Sequence, residues 1–599
     1  MCTLSTPAAA AEGPQGTRGF AAQVPPPPIP RGGPGGGRVG AGGQPGRGRG
    51  RVEEGALRMR RAATEAVVLL ATGLALLAHE RGLGEGASRT QATAATLALM
   101  LAAAAAEGLG LLAGRVSRGA NALRFRRAGL HGLSPGLLLV PWVLLSCRES
   151  PGAVGRASGA SLLGLALALA WPREAAPPPS RPAAAALILV LLGLGGLRAF
   201  MASLWEAALA GCFLAALATV AAPGALTAGE AWAVAHGAAA FLPIFITSIV
   251  SGEASAPTTA SLAAAEALRG AALARGLILS ALILLPVLFA MGLRVTTGRF
   301  IPAVCATATL LSGAAALSLA DRLESFPELP HHLAPQAAFL PQSLPWVVMQ
   351  VADNTGVLLY WTVTLGAGLV VQALFTPRGA SPALSGRRIF LRKNFHLLAV
   401  ALFLPAHITR PAILQVALAG ALLLFVAGEC LRLAGPTSRF GGALNDLFTS
   451  YLDDRDARGR LCISHLSLLL GMALPVWLEG GAPRSGGGGP AEVALRPMLP
   501  AFAGYVALGA VDVAAVFVGK PWGRHLLFSD SPKSAEGTAA AAVAAAAVLG
   551  PLRNFSRSGL GVVGVAAAAG AGAAFEAVTD QMDNIFVPLQ LFCVLKALC

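Results

Sequence analysis

Asp512 is the only charged residue in the stretch Leu508-Gly509-Ala510-Val511-Asp512-Val513-Ala514-Ala515-Val516-Phe517-Val518. A carboxylate inside such a run costs about 2.5 to 3.5 kcal/mol on membrane-insertion scales, so it requires a partner or a task. A structural ion pair is the ordinary explanation; metal or substrate binding is the other. Further on, Glu576, Thr579, Asp580 and Asp583, followed by Asn584, are spaced by three and four residues. On a continuous helix that spacing puts the carboxylates on one stripe, where like charges repel unless a cation neutralises them, and magnesium is the natural candidate. Exposure at a helix end is the competing account.

Three more stretches carry charge. Lys533-Ser534-Ala535-Glu536-Gly537-Thr538 runs into an alanine-rich segment. A lysine, hydroxyls and a glycine at a helix start supply donors and a close backbone approach for phosphate, although they also describe a simple cap. Arg387, Arg388, Arg392 and Lys393 precede His396 and an apolar run. Cations where a helix begins meet the positive end of its dipole, which an anion such as phosphate would relieve; positive-inside anchoring is the alternative. The mixed-charge stretch from Tyr451 to Arg460, with Asp453, Asp454 and Asp456, reads as a solvated loop before it reads as a metal site. A Walker A motif is missing. Gly193-Leu194-Gly195 lacks the strand-turn-helix context of a dinucleotide fingerprint, and His331-His332 lacks the spacing of a zinc-protease motif.

The elements that hold these residues must be membrane helices. Of the 599 residues, 55% are hydrophobic and only 13% charged, against about 25% charged in an average soluble domain, and the mean hydropathy is +0.65. Apolar runs recur near 63-80, 93-114, 134-147, 159-171, 182-200, 203-222, 232-251, 274-293, 301-319, 345-375, 396-409, 411-433, 461-479, 499-518, 538-552 and 558-579. The expected fold is all-α and polytopic, with roughly 14 to 17 transmembrane helices; the alternating short strands of a membrane barrel are absent. The net charge of +15 is scattered between the runs, which fits loops facing anionic lipid and argues against nucleic acid. Eight cysteines stand far apart with no CxxC pair, and most lie in apolar runs as small buried hydrophobes.

Three regions follow. Residues 1-62 form an Ala/Gly/Pro/Arg-rich tail with nine Arg against three Glu, expected to be disordered and basic enough to be compared with a transit peptide. Residues 63-384 form an N-terminal multi-span region with few ionisable residues inside its runs, and 385-599 a C-terminal region that carries the chemistry. Within the latter, two spans separate the Arg392 stretch from the Asp453 loop, two more separate that loop from Lys520, and another two separate Lys533 from Asp580. All five charged clusters therefore fall on one membrane face, cytosolic by the positive-inside rule. Basic and acidic groups converging there without a Walker A motif describe a magnesium-nucleotide site of its own kind.

RKNFH at 392-396, the Asp512 segment with VGKPWG at 518-523, KSAEGT at 533-538 and EAVTDQMDNIFVPL at 576-589 resemble the polyprenol kinase family, most closely its dolichol kinases, in content and order across roughly 385-595. Two departures stand out: Val511-Asp512-Val513 replaces Gly-Asp-Thr, and Lys533-Ser534-Ala535-Glu536-Gly537 replaces Lys-Thr-Val-Glu-Gly. The resemblance implies transfer of the γ-phosphoryl group of CTP to the terminal hydroxyl of dolichol, with Mg2+, at the endoplasmic reticulum membrane, giving dolichyl phosphate for glycosylation. It implies Asp512 and Lys533 as catalytic residues. Lys533, Ser534, Gly537 and Lys520 would serve the nucleotide phosphates, with Glu536 beside them and Arg392 and Lys393 as a further clamp. Asp512 and Asp583 would hold the metal, with Asp580 and then Glu536 as weaker candidates, and Asp512 could instead accept the alcohol proton. Two rivals are a kinase for a shorter, phytol-type alcohol in a plastid and a transporter coupled through Asp512, which would show inverted repeats.

Overall fold

The computed structural model describes residues 60–61, 63–76, 343–375, 384–434, 462–479, 498–529, 531–556 and 558–599, with isolated positions between 138 and 281. The tail up to residue 59, the Asp453 loop and nearly all the runs expected before 343 lie outside the described residues, as does the total span count. The regular structure described is helical, that of an all-α polytopic membrane protein, and the one β feature among the described residues is an isolated antiparallel bridge between Leu526 and Ser534.

The helices are α1 (Ala63–Leu76), α2 (Ser343–Asp353), α3 (Thr355–Phe375), α4 (Leu384–Thr409) and α5 (Pro411–Ala434), then α6 (Ile463–Glu479), α7 (Leu499–Trp522), α8 (Ala535–Phe555), α9 (Val562–Val578) and α10 (Asp583–Leu598). Within α3, α4, α5, α7 and α8 lie apolar stretches long enough to cross a membrane, while α1, α6 and α9 are shorter apolar helices. Prolines 405, 475, 551 and 588 sit inside helices, tolerable where a bilayer leaves backbone groups few other partners.

Contacts from α4 to α10 sort into two ends. At one end His407 of α4 stacks on Phe502 of α7, Trp477 of α6 donates to the Gln415 carbonyl of α5 at 3.2 Å, and Lys596 of α10 pairs with Glu479 of α6 at 2.6 Å. At the other, Lys393 of α4 meets Asp512 of α7, and Asn584 of α10 donates to Ser467 of α6 at 3.2 Å. The helices thus alternate in direction, as the span count required for the charged stretches to share a face. Small residues line α8 and α9 where they enter the core: Ala541 and Ala545 on α8 and Ala568, Ala569 and Ala573 on α9 are buried. Such rows let helix backbones approach closely where lipid gives no hydrophobic drive between helices.

Three differences from the sequence expectation stand out. The run 345-375 breaks at Asn354, whose side chain donates to the Gln350 carbonyl at 2.8 Å. The helix behind the run 396-409 begins at Leu384, so Arg392 and Lys393 lie inside α4 rather than ahead of its first turn, and the helix-start argument for an anion beside them no longer applies. Helix α10 was missed as an element, because Pro588, Gln590 and Lys596 interrupt its apolar pattern. Tertiary partners accommodate two of these: Gln590 donates to Thr72 of α1 at 3.3 Å, and Lys596 has Glu479.

Candidate active site

The rod α7 is irregular before it becomes regular. A 3-10 turn (Leu499–Phe502) and a short α segment lead into a π-helical stretch, Val506–Val511, and Asp512 is the first residue of the α-helix that follows. Such wide turns recur at functional sites because the extra residue re-aims the side chains that follow. Asp512 is about 15 Å along the helix from Trp522, so the site is recessed from that end of α7. On the neighbouring α4, Lys393 and His396 share one face. The Lys393 Nζ lies 2.5 Å from both Asp512 oxygens and the His396 Nδ1 lies 2.8 Å from Oδ2, all three residues being buried. Gly509 makes room for this approach: a Cβ there would fall 2.6 Å from Val400 of α4.

The second half of the site comes from helix ends. Ser534 is extended at φ −115° and caps α8, its hydroxyl accepting from the Gly537 amide at 3.2 Å, and alanines with Glu536 in the first turn favour the helix behind it. Gly537 is where α8 crosses α7; a Cβ would come within 2.8 Å of the Ala515 carbonyl oxygen and 3.0 Å of the Gly519 Cα. Lys533, one residue before the cap, reaches the C-terminal end of α9. It donates to the Glu576 carbonyl, to the Glu576 carboxylate at 3.0 Å and to the Thr579 carbonyl at 3.0 Å. A cation there satisfies carbonyls that the ending helix leaves open. Helix α9 stops because Thr579 turns extended, and after a short turn Asp583 opens α10, its carboxylate accepting from the Asn584 amide at 3.0 Å.

Asp512, Glu576 and Asp583 converge, with one carboxylate oxygen from each within 4.8 Å of the others. An all-oxygen carboxylate set suits a hard divalent cation. Glu576 Oε2 is buried with no hydrogen-bond partner, the condition expected of a ligand atom, and Lys393 and Lys533 offset only part of the triad's charge. The residues present therefore fit magnesium.

Of the residues singled out in the sequence, Asp512, Asp583, Lys393 and Lys533 meet here, and Ser534 and Gly537 form the adjacent helix start. Others do not join them. Asp580 pairs with Arg61 instead of entering the triad, because the stripe drawn through 576, 580 and 583 assumed one helix, whereas the helix ends at Val578, between the first and second of these residues. Glu576 takes the third place. Glu536 faces the loop before α8, where its carboxylate lies 2.6 Å from His525 Nδ1 and accepts from the His525 amide. Lys393, expected on a phosphate, is engaged by Asp512. Lys520 is exposed on the last turn of α7, and Arg392 is half-buried on α4. His396 and Arg61 were not assigned roles: His396 stood within the RKNFH stretch without a partner to point to, and Arg61 lies more than five hundred residues from Val578 and Asp580.

Against curated proteins, the chain is 33% identical over 258 residues to dolichol kinase EVAN of Arabidopsis thaliana, a match covering 42% of each chain. It is 31% identical over 213 residues to dolichol kinase sec59 of Schizosaccharomyces pombe, covering 35% of this chain and 39% of the relative. With the dolichol kinase of Homo sapiens it shares 31% identity over 262 residues, 42% of this chain and 46% of the relative. The matches thus span less than half the length of these relatives. No family model matches the chain, and no solved structure does.

Proposed function

We propose that this chain is a CTP-dependent dolichol kinase of the endoplasmic reticulum membrane, transferring the γ-phosphoryl group of CTP to the terminal hydroxyl of dolichol with its site facing the cytosol. The observation that carries this reading is the meeting of three carboxylates and two lysines from four helices of a membrane bundle and the loop before α8, on stretches that resemble the polyprenol kinases. Dolichol kinases from a plant, a yeast and a mammal are its relatives, which favours this reading over the transporter.

Phosphoryl transfer asks for positioning and charge neutralisation more than covalent chemistry. Lys393 and His396 fix the Asp512 carboxylate, so one oriented anion stands in the recess. Lys533 ties the start of α8 to the end of α9, holding Glu576 in reach of Asp512. Asp512, Glu576 and Asp583 would hold magnesium, which when bound neutralises charge on the phosphates. The start of α8, capped by Ser534 and packed on α7 at Gly537, stands beside this cluster, where phosphate oxygens are favoured by the helix dipole. Lys520 and Arg392 supply positive charge on the approach. A lipid alcohol reaches a recess between helices from the bilayer, while the nucleotide arrives from water.

Membranes bearing the protein, given labelled CTP or ATP and a panel of dolichol, polyprenol and phytol, test the reading. Label passing from CTP to dolichol supports it. Preference for phytol favours the shorter-alcohol kinase, and no transfer to any alcohol overturns the kinase assignment. For topology, single cysteines at His525 and Gly559 in a cysteine-free background should label from opposite faces, His525 from the cytosol.

A further inference from the structure

Arg61 lies in the N-terminal part of the chain, helical in conformation and two positions ahead of Ala63, yet it is buried at 1% exposure against the site region. Its Nε donates to the Val578 carbonyl at 2.8 Å, its guanidinium pairs with the Asp580 carboxylate, and its charge sits 5.6 Å from the Phe528 ring centroid. These three contacts fall on two separate segments. Val578 ends α9 and Asp580 lies in the turn that follows, both between Glu576 and Asp583, two of the three converging carboxylates; Phe528 belongs to the loop that leads to Lys533 and Ser534.

We infer that Arg61 is a positioning residue for the metal centre: by bridging the α9–α10 turn and the loop before α8, it sets the distance between Glu576 and Asp583. The turn needs such a device. Glu576 closes one helix and Asp583 opens the next, so their separation is governed by four intervening turn residues from 579 to 582 rather than by a helix lattice. A guanidinium suits the task because its rigid fork bonds the Val578 carbonyl and the Asp580 carboxylate together, whereas an ammonium is a single point charge. Helix α1 is itself anchored on α10 through Thr72 and Gln590, so Arg61 is held from both sides. On this account Asp580 acts as the anchor of the turn and not as a ligand. Arg61 stands at the end of the 1-62 segment expected as a disordered tail, and that segment contributes to the site through this residue.

The inference rests on the proposed metal site, and the experiment separates the two. Mn2+ binding to the full chain in lipid nanodiscs is read by electron paramagnetic resonance, with thermal unfolding measured alongside. Wild type should bind Mn2+, and Glu576→Gln should lose it. Arg61→Ala should weaken Mn2+ binding about tenfold or more, Arg61→Lys should fall between, and Asp580→Asn should weaken it less than Glu576→Gln does. Should Arg61→Ala fail to fold, Arg61→Lys decides: wild-type Mn2+ affinity in that variant overturns the inference. Wild-type affinity in a folded Arg61→Ala variant overturns it too, leaving the metal site intact. A wild-type protein that binds no Mn2+ overturns both.

Discussion

Helices α3 and α10 are written in much the same apolar alphabet and are surrounded by different solvents. Along α3, Leu359, Val363 and Leu374 are 63%, 61% and 76% exposed, and its fixed points are on α4, where Trp361 donates to the Leu402 carbonyl at 2.8 Å and Gln372 to the Leu391 carbonyl at 3.2 Å. Along α10, Leu591, Phe592 and Leu595 are fully buried among α6, α7 and α9. The first helix is apolar because lipid surrounds it; the second because protein does. Polar groups follow the same division. A side chain such as Asp512, Gln590 or Lys596 is tolerable inside the bundle because the bundle supplies its partner, and a bilayer could not.

Substitutions of decreasing effect test that division. Asp512→Ala should abolish dolichol phosphorylation, by about 1000-fold or more, and destabilise the fold by about 3–5 kcal/mol, because it leaves Lys393 buried and unpaired. The double variant Asp512→Leu with Lys393→Met should recover the stability and none of the turnover, which separates the ion pair's structural part from its chemical part. Lys533→Ala should lower turnover about 100-fold, a loss of about 3 kcal/mol in the transition state, with membrane insertion intact; near-normal activity would remove Lys533 from the site. Leu591→Ala, which opens a cavity in the packed part of α10, should cost about 2–5 kcal/mol in thermal unfolding. The matching Leu359→Ala on α3 should stay within about 0.5 kcal/mol, since lipid fills the space that the side chain leaves. A large effect at Leu359 would mean that α3 meets protein rather than lipid on that face.

The membrane class and the grouping of charge into a few stretches were legible from residues alone, because a bilayer imposes span length and polar satisfaction on every helix independently of its neighbours. The same holds for the shared face of Lys393, Lys533 and Asp583: counting spans needs no tertiary contact, only that each one crosses. Asp512 was conspicuous for the same reason, being a charge where lipid would penalise it.

What the chain could not disclose from its sequence was which charge meets which. The spacing of 576, 580 and 583 reads as one helical stripe, and only the extended Thr579 and the turn after it show that Glu576 and Asp583 converge while Asp580 faces away to Arg61. Lys393 could serve a phosphate or a carboxylate by its residue type; the close approach of α4 to α7 at Gly509 and the π-helical turn before Asp512 decide for the carboxylate. Arg61 had no local signal at all. Periodicity and composition report on neighbours within a few turns of one helix, whereas a pairing across more than five hundred residues is set by how separate helices pack, and that packing is a property of the whole bundle.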